Sequence, residues 1–161
     1  MFHFLQVNPT GSPRPALLYD GECGLCNRVV RILLRMDRRG RLGFAPLQGK
    51  PALEFLRSHH LPTEGFDSMV FVPDWTMRDQ PGFLLRTEGL RAALRLCGGA
   101  GRMLSGALGL VPVRLRDAGY RLVARWRYRI FGAWKPRPLP RPDWYKRFVT
   151  ERGSGLADDA R

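Results

Sequence analysis

The sequence has too few cysteines for a disulfide-stabilised scaffold, with three among its 161 residues. Small secreted folds held together by disulfides carry many more. It also lacks a long apolar run: its longest nearly apolar stretch, residues 103–113, is far shorter than the roughly 20 residues that cross a bilayer. Residues 1–15 contain no continuous apolar segment typical of a secretory signal, so we expect a cytoplasmic protein.

Acidic residues are scarce, since 14 Asp and Glu face 27 Lys and Arg, which gives a formal net charge of +13. The excess is uneven, because residues 114–152 alone hold 12 basic and 3 acidic residues, a net +9. The overall composition, 44% hydrophobic and 25% charged, is that of an ordinary globular protein. The charge therefore belongs mainly to one C-terminal block and requires an explanation of its own.

Apolar periodicity and turn residues predict four strands and five helices. The predicted strands are residues 16–19, 42–47, 68–72 and 83–86, and the predicted helices are residues 23–38, 52–60, 87–96, 102–110 and 113–131. This order predicts an α/β fold with a thioredoxin-like mixed sheet (β-α-β-α-β-β-α) and a C-terminal helical extension. We expect a flexible leader over 1–15, the domain with its extension over 16–132, and a basic, proline-rich tail over 133–161.

The most informative motif is the pair Cys23 and Cys26, separated by two residues where the first strand gives way to a helix. A helix N-terminus presents free N–H groups and the positive end of the dipole, which favour a thiolate. We predict that Cys23 attacks a disulfide and that Cys26 resolves the mixed disulfide. The flanking Gly21 and Gly24 and the polar turn predict that the pair is exposed.

Two other interpretations of the cysteines remain open. They could be half of a zinc site, completed from Cys97, His3, His59 and His60, or they could be inert core residues. Asp20, three residues before Cys23, is either a carboxylate that relays a proton to or from Cys26 or a turn former, and both roles are compatible.

Several segments resemble the DCC family of thiol-disulfide oxidoreductases. The residues LYDGECGLC at 18–26 resemble its signature, FAPLQG at 44–49 its second strand, and ARWRYRIFG at 124–132 part of its closing segment. The resemblance implies a thioredoxin-like fold and dithiol–disulfide exchange, with the family's Asp, Cys and Cys at Asp20, Cys23 and Cys26. We expect a disulfide-containing protein or small molecule as substrate, an external reductant, and neither a metal nor an organic cofactor.

The last predicted helix carries an apolar stripe made of Leu115, Leu122, Trp126 and Ile130. Arg114, Arg121 and Arg125 flank this stripe on one side, and Arg116 and Arg127 flank it on the other. We favour a stripe packed on the domain with arginines along its edges. The alternative is a basic binding module, with residues 114–152 in weak contact with an anionic membrane surface or with phosphates. No specific nucleic acid is predicted as a partner.

Four further residues have structural interpretations. Thr87 is the predicted N-cap of its helix, and Cys97 is a predicted core residue on the apolar side of the same helix. His59 and His60 end a short helix, where a capping role is favoured over catalysis.

Overall fold

The computed structural model describes residues 14–66 and 68–149. Most of the predicted leader, residues 1–13, and the end of the predicted tail, residues 150–161, lie outside this part of the chain. His3, one of the candidate zinc ligands, lies there too.

Four short strands form one mixed sheet in the order β2-β1-β3-β4. They are β1 (Ala16–Tyr19), β2 (Gly43–Pro46), β3 (Val70–Val72) and β4 (Leu84–Leu85). β1 runs parallel to β2 and antiparallel to β3, and β3 runs antiparallel to β4. The sheet confirms the predicted parallel crossover after the first strand and the predicted antiparallel pair of later strands.

Five α-helices and two short 3-10 helices complete the described fold. The α-helices are α1 (Gly24–Met36), α2 (Lys50–Ser58), α3 (Arg86–Cys97), α4 (Gly99–Leu110) and α5 (Val113–Phe131), and the 3-10 helices are Trp75–Met77 and Pro142–Arg147. Because side chains alternate along a strand, β1 sends Leu17 to one core cluster and Leu18 to the other. Residues of α1 and α3 pack in the first cluster, and residues of α2 pack in the second. This architecture confirms the predicted α/β class and is consistent with a thioredoxin-like fold that carries a C-terminal helix.

Thr87 is not the N-cap of its helix, so this prediction was wrong. β4 ends at Leu85 and α3 begins at Arg86, which leaves no separate cap residue between them. Leu85 occupies the N-cap position without a side-chain cap. The buried Thr87 hydroxyl instead donates a hydrogen bond to Asp117 and accepts one from Arg116 Nε at 3.0 Å, so it fastens α3 to α5.

The apolar stripe of α5 faces away from the domain, which corrects the favoured interpretation of this helix. Its members are exposed by 66% (Leu115), 61% (Leu122), 42% (Trp126) and 68% (Ile130). The buried side chains are Arg116 and Arg127, which were predicted to flank the stripe. They point inward because the domain offers them carboxylates, those of Glu88 and Asp20 respectively.

The described part of the predicted tail packs against the domain. Trp144 belongs to the first core cluster, and the Val149 N–H donates to the Phe44 carbonyl at 2.7 Å. Arg147 forms an ion pair of 2.6 Å with the buried Asp37. The predicted boundary between the domain and the tail, at 132/133, stays a prediction.

Within residues 14–66 and 68–149, no helix combines the length and the apolar character needed to cross a membrane.

Candidate active site

The turn between β1 and α1 fixes the position of the two cysteines. The Cys23 N–H donates to the Asp20 carbonyl at 3.3 Å, and the Glu22 N–H donates to Asp20 Oδ1 at 3.0 Å. Cys23 is the N-cap residue of α1, and Cys26 lies in its first turn. Asp20 therefore does act as a turn former, as one of its two predicted roles requires. Asn27 tightens the turn, because its amide donates to the carbonyls of Gly21 and Cys23.

Both thiols are free and buried, so the prediction that they are exposed was wrong. The exposed fraction is 0% for Cys23 and 4% for Cys26. Gly24, which suggested exposure, instead lets the end of α5 and the residue after it approach closely. This contact could not be foreseen from the local sequence, since the covering segment lies more than 100 residues away.

The cover is a strap, residues 132–134, that follows the end of α5. The Gly24 N–H donates to the Gly132 carbonyl at 3.1 Å, and the Trp134 N–H donates to the Glu22 carbonyl at 2.7 Å. Between these bonds, Ala133 forms an antiparallel β-bridge with Cys23. A Cβ atom on Gly24 would lie 2.6 Å from the Phe131 carbonyl oxygen, so the strap requires glycine at this position.

Arg127, on the inward face of α5, connects the carboxylate with the deeper thiol. Its Nη2 donates to Asp20 Oδ2 at 2.9 Å, and its Nη1 donates to Cys26 Sγ at 3.5 Å. Both contacts are buried. One guanidinium group therefore contacts two of the three residues predicted as catalytic, and the turn places the third, Cys23, next to them.

Asp20 accepts hydrogen bonds from four groups. Oδ1 accepts from the Gln48 amide at 2.9 Å and from the Glu22 N–H, while Oδ2 accepts from Arg127 and from the Tyr128 hydroxyl. These four donors match the acceptor capacity of an ionised carboxylate. Asp20 is therefore held in one orientation by three parts of the chain, namely its own turn, the segment after β2 and the end of α5.

Burial and neighbouring charges together shift the pKa values of the side chains in this site. Burial and the neighbouring Cys23 raise the pKa of Cys26 from 9.0 to about 12, and Arg127 partly opposes them. Burial alone would lower the pKa of Arg127, but Cys26, Cys23 and Asp20 outweigh it and raise that pKa. Burial and the hydrogen bond to Asp20 raise the pKa of Tyr128. At neutral pH the site therefore holds a charged arginine beside a protonated Cys26.

A recess of about 490 Å³ opens beside the hydrogen-bonded side chains around Asp20. Its walls include Asp20, Gln48, Arg127 and Tyr128, together with apolar side chains such as Leu47 and Phe66. The recess reaches the hydrogen-bond network, while the thiols themselves lie behind the strap.

The other residues singled out in the sequence lie apart from this site. Cys97 is half-buried against the first core cluster, and its thiol donates to the Ala93 carbonyl at 3.3 Å. His59 is the C-cap residue of α2 and stacks on Phe55. No group of three or more His, Cys, Asp and Glu residues that could hold a metal ion occurs in the described ranges, 14–66 and 68–149.

Arg127 and Tyr128 were missed as site residues. Arg127 lies 107 residues from Asp20, so no local spacing links the two. The only signal in the sequence was their place within ARWRYRIFG, the segment at 124–132 that resembles the family's closing segment. A resemblance of this kind marks the segment without giving its residues a role.

Proteins of one family resemble this chain over most of its length. The family model described as DCC1-like thiol-disulfide oxidoreductase matches residues 17–133. The uncharacterized protein YuxK of Bacillus subtilis is 34% identical over 138 residues, which cover 85% of this chain and 95% of that protein. A chloroplastic DCC family protein of Arabidopsis thaliana is 27% identical over 119 residues, 74% of this chain and 66% of that protein. No solved structure matches the chain significantly.

Proposed function

The chain belongs to the DCC1-like thiol-disulfide oxidoreductase family and is thus an oxidoreductase enzyme, and we propose that Cys23 and Cys26 are the dithiol that carries its reaction. The observation that supports this assignment best is the contact of Arg127 with both Cys26 and Asp20. Cys97 is the only other cysteine of the chain, and its thiol donates to the backbone carbonyls of Leu33 and Ala93 instead.

In the first step the Cys23 thiolate attacks one sulfur of a substrate disulfide. A new bond joins Cys23 Sγ to that sulfur, the substrate S–S bond breaks, and the second substrate sulfur leaves as a thiolate that takes up a proton. Cys23 is suited to the attack because it caps α1, where the helix dipole favours a negative sulfur.

In the second step Cys26 releases its proton, which the departing substrate sulfur takes up by way of solvent, and the Cys26 thiolate attacks Cys23 Sγ. The Cys23–Cys26 disulfide forms, and the remaining substrate sulfur leaves as a thiolate. The substrate gains the two electrons that the dithiol loses, and an external thiol reductant restores the dithiol. Asp20 assists this ionisation only indirectly: it holds the guanidinium of Arg127, whose charge lowers the pKa of Cys26, so Asp20 acts as a positioning residue.

The charges around Cys26 favour attack by Cys23 first and ionisation of Cys26 second. Cys23 raises the pKa of Cys26 by its charge and by a hydrogen bond, and Arg127 lowers it. In the mixed disulfide Cys23 carries no charge and donates no hydrogen bond, so only burial and the charge of Asp20 still oppose the effect of Arg127 on the pKa of Cys26. Cys26 is therefore harder to ionise before the substrate has bound covalently than afterwards, which favours resolution over premature oxidation.

The strap must move before a substrate can reach Cys23, because this thiol has no exposed surface. Two backbone hydrogen bonds hold the strap to the turn, and each contributes about 1 kcal/mol. Opening of this size is compatible with turnover. The recess beside Asp20 and Tyr128 would then lead to the uncovered thiols.

We place the reaction in the cytoplasm, where reductants keep thiols reduced. Its substrate would be a disulfide-containing protein or small molecule. The test is reduction of a disulfide protein such as insulin by an excess of a dithiol, with and without catalytic amounts of the protein. We expect Cys23→Ser to fall to the rate of the reductant alone and Cys97→Ser, the matched control, to retain the wild-type rate. Equal rates for wild type and Cys23→Ser would refute the assignment.

A further inference from the structure

The outward side of α5 exposes an unusual number of large apolar side chains. This outer face consists of Leu115, Leu122, Val123, Trp126 and Ile130, each exposed by 42% or more. Single exposed apolar residues are common, but monomeric proteins rarely expose many of them together on one side of a helix. The outer face therefore indicates a surface that meets an apolar phase or partner.

A row of positive charge runs beside the outer face. Arg114, Arg121, Arg125 and Arg129 are all exposed, and they recur at spacings of seven, four and four residues. In the described part of the chain none of them forms an ion pair, whereas Arg116 and Arg127 on the inward face do. Their charge is therefore available to an external anionic partner.

We propose that this face docks the enzyme on the surface of an anionic lipid membrane. Helices that lie in a membrane interface combine a face of Trp and Leu with basic residues that can reach the headgroups, and α5 has both, side by side. Trp126 suits the headgroup level of a bilayer, and Arg129, stacked at 5.1 Å over its ring, can reach lipid phosphates. With 19 residues, α5 would lie along the surface for about 28 Å.

Charge distinguishes this partner from two others. A second copy of the chain would bring two rows of arginine together, and they would repel each other in a symmetric dimer. A nucleic acid would satisfy the arginines but leave the apolar side chains in water. An anionic bilayer would contact both the arginine row and the outer face.

Neither of these two surfaces includes Cys23 or Cys26. The membrane proposal and the proposed reaction can therefore be tested independently of each other.

Vesicle binding tests the proposal. The full-length protein is sedimented with vesicles of phosphatidylglycerol and phosphatidylcholine, with vesicles of phosphatidylcholine alone, and with the anionic vesicles in about 0.5 M salt, where screening is strong. We expect at least 100-fold tighter partitioning on anionic vesicles at low salt, since each arginine near the surface contributes about fivefold. Equal partitioning on both lipids, or none on either, would overturn the proposal.

Variants locate the surface. Arg121→Gln with Arg125→Gln should weaken anionic binding about 25-fold, and Leu122→Gln with Ile130→Gln should weaken it at least tenfold. The matched control is Lys50→Gln with Arg57→Gln, which removes the same charge from exposed positions on α2, across the sheet. It should change binding less than about twofold, a shift small beside the 25-fold loss. Equal loss in control and test variants would contradict the proposal.

Two further outcomes would also contradict it. Sedimentation equilibrium that shows a dimer, dissociated by Leu122→Gln with Ile130→Gln, would assign the outer face to a second copy of the chain. Salt-dependent binding to a DNA duplex without any binding to anionic vesicles would assign the arginine row to a nucleic acid. All variants are checked for the wild-type circular dichroism spectrum, so loss of fold is not mistaken for loss of binding.

Discussion

The inward and outward faces of α5 carry opposite chemistry. The inward face holds the buried Arg116 and Arg127 and also Tyr120, whose hydroxyl accepts from the Met69 N–H, while the outward face holds exposed Leu122 and Ile130. Surface helices usually bury their apolar side. Here the partners decide, because each buried guanidinium meets a carboxylate, and a buried charge is tolerated only when it is paired and hydrogen-bonded. Helix α5 is therefore held to the domain by its polar contacts, which also complete the site at Asp20 and Cys26.

The largest effect should come from removing the inward charge at the site. Arg127→Ala leaves Asp20 buried beside a thiol without its ion pair, and we expect a loss of about 3–5 kcal/mol in the free energy of unfolding. Arg125→Ala, two residues away and exposed, should change it by less than about 0.5 kcal/mol. Urea unfolding at pH 7 compares the two. Similar losses would show that Arg127 does not anchor the helix.

Where Arg127→Ala does not fold, Arg127→Lys provides the same contrast. It keeps the positive charge but cannot contact Asp20 and Cys26 through two separate nitrogens of a planar group. We expect slower resolution of the mixed disulfide, seen as a longer-lived Cys23 adduct in quenched-flow mass spectrometry. Unchanged adduct lifetimes would argue against a role of Arg127 at Cys26.

Substitution of Gly24 and of Gly119 should change the free energy of unfolding in opposite directions, by smaller amounts. Gly24→Ala places a Cβ atom 2.6 Å from the Phe131 carbonyl oxygen and must displace the strap, which we expect to cost about 1–3 kcal/mol. Gly119→Ala, within α5 where a Cβ meets no atom within 4 Å, should stabilise by about 0.5–1 kcal/mol. Alkylation of Cys23 by iodoacetamide should be faster in Gly24→Ala only. Equal alkylation in both variants would show that the strap does not cover the thiol.

Alkaline pH should lower the free energy of unfolding, because Cys26 in the buried site loses its proton. A raised pKa means that the folded protein holds the Cys26 proton more tightly than the unfolded chain does, so stability is retained below about pH 9 and lost as pH rises towards about 12. Cys26→Ser should reduce this slope by up to about 1.4 kcal/mol per pH unit. Leu122→Gln, which removes no titrating group, should keep the wild-type slope. Urea unfolding between pH 8 and pH 11 measures the slope for wild type and for both variants. Equal slopes in wild type and Cys26→Ser would contradict the raised pKa of Cys26.

The smallest effect is expected on the outward face. Leu122→Gln and Ile130→Gln should each change the free energy of unfolding by less than about 0.5 kcal/mol, because both side chains are already mostly in water. Thermal unfolding of the isolated protein measures this. A loss above about 2 kcal/mol from either variant would mean that the outward face is covered within the protein.

The sequence predicted the elements that depend on local pattern. The strand Ala16–Tyr19 and the helix Val113–Phe131 have the predicted bounds, and the Cys23–Cys26 pair does lie where β1 passes into α1. These succeeded because a short apolar run and a helical repeat are visible in any window of the chain.

The features that failed depend on contacts between distant segments. The ion pair of Arg127 with Asp20 joins residues 107 positions apart, and the strap that buries Cys23 comes from the same distant region. Periodicity showed that α5 has an apolar side without showing which side would dock. That choice depends on where the carboxylates of Asp20 and Glu88 lie in the folded domain, which no local pattern contains.

Trapping the reaction intermediate shows directly whether Cys23 attacks the substrate and Cys26 resolves the mixed disulfide. Cys26→Ser is mixed with a disulfide protein, quenched with acid and analysed by mass spectrometry of its peptides. We expect a stable mixed disulfide on Cys23 that wild type does not accumulate, because the serine hydroxyl of this variant cannot resolve it. An adduct on Cys97 instead, or undiminished turnover without any adduct on Cys23, would contradict the assignment of Cys23 as the attacking thiol and Cys26 as its partner.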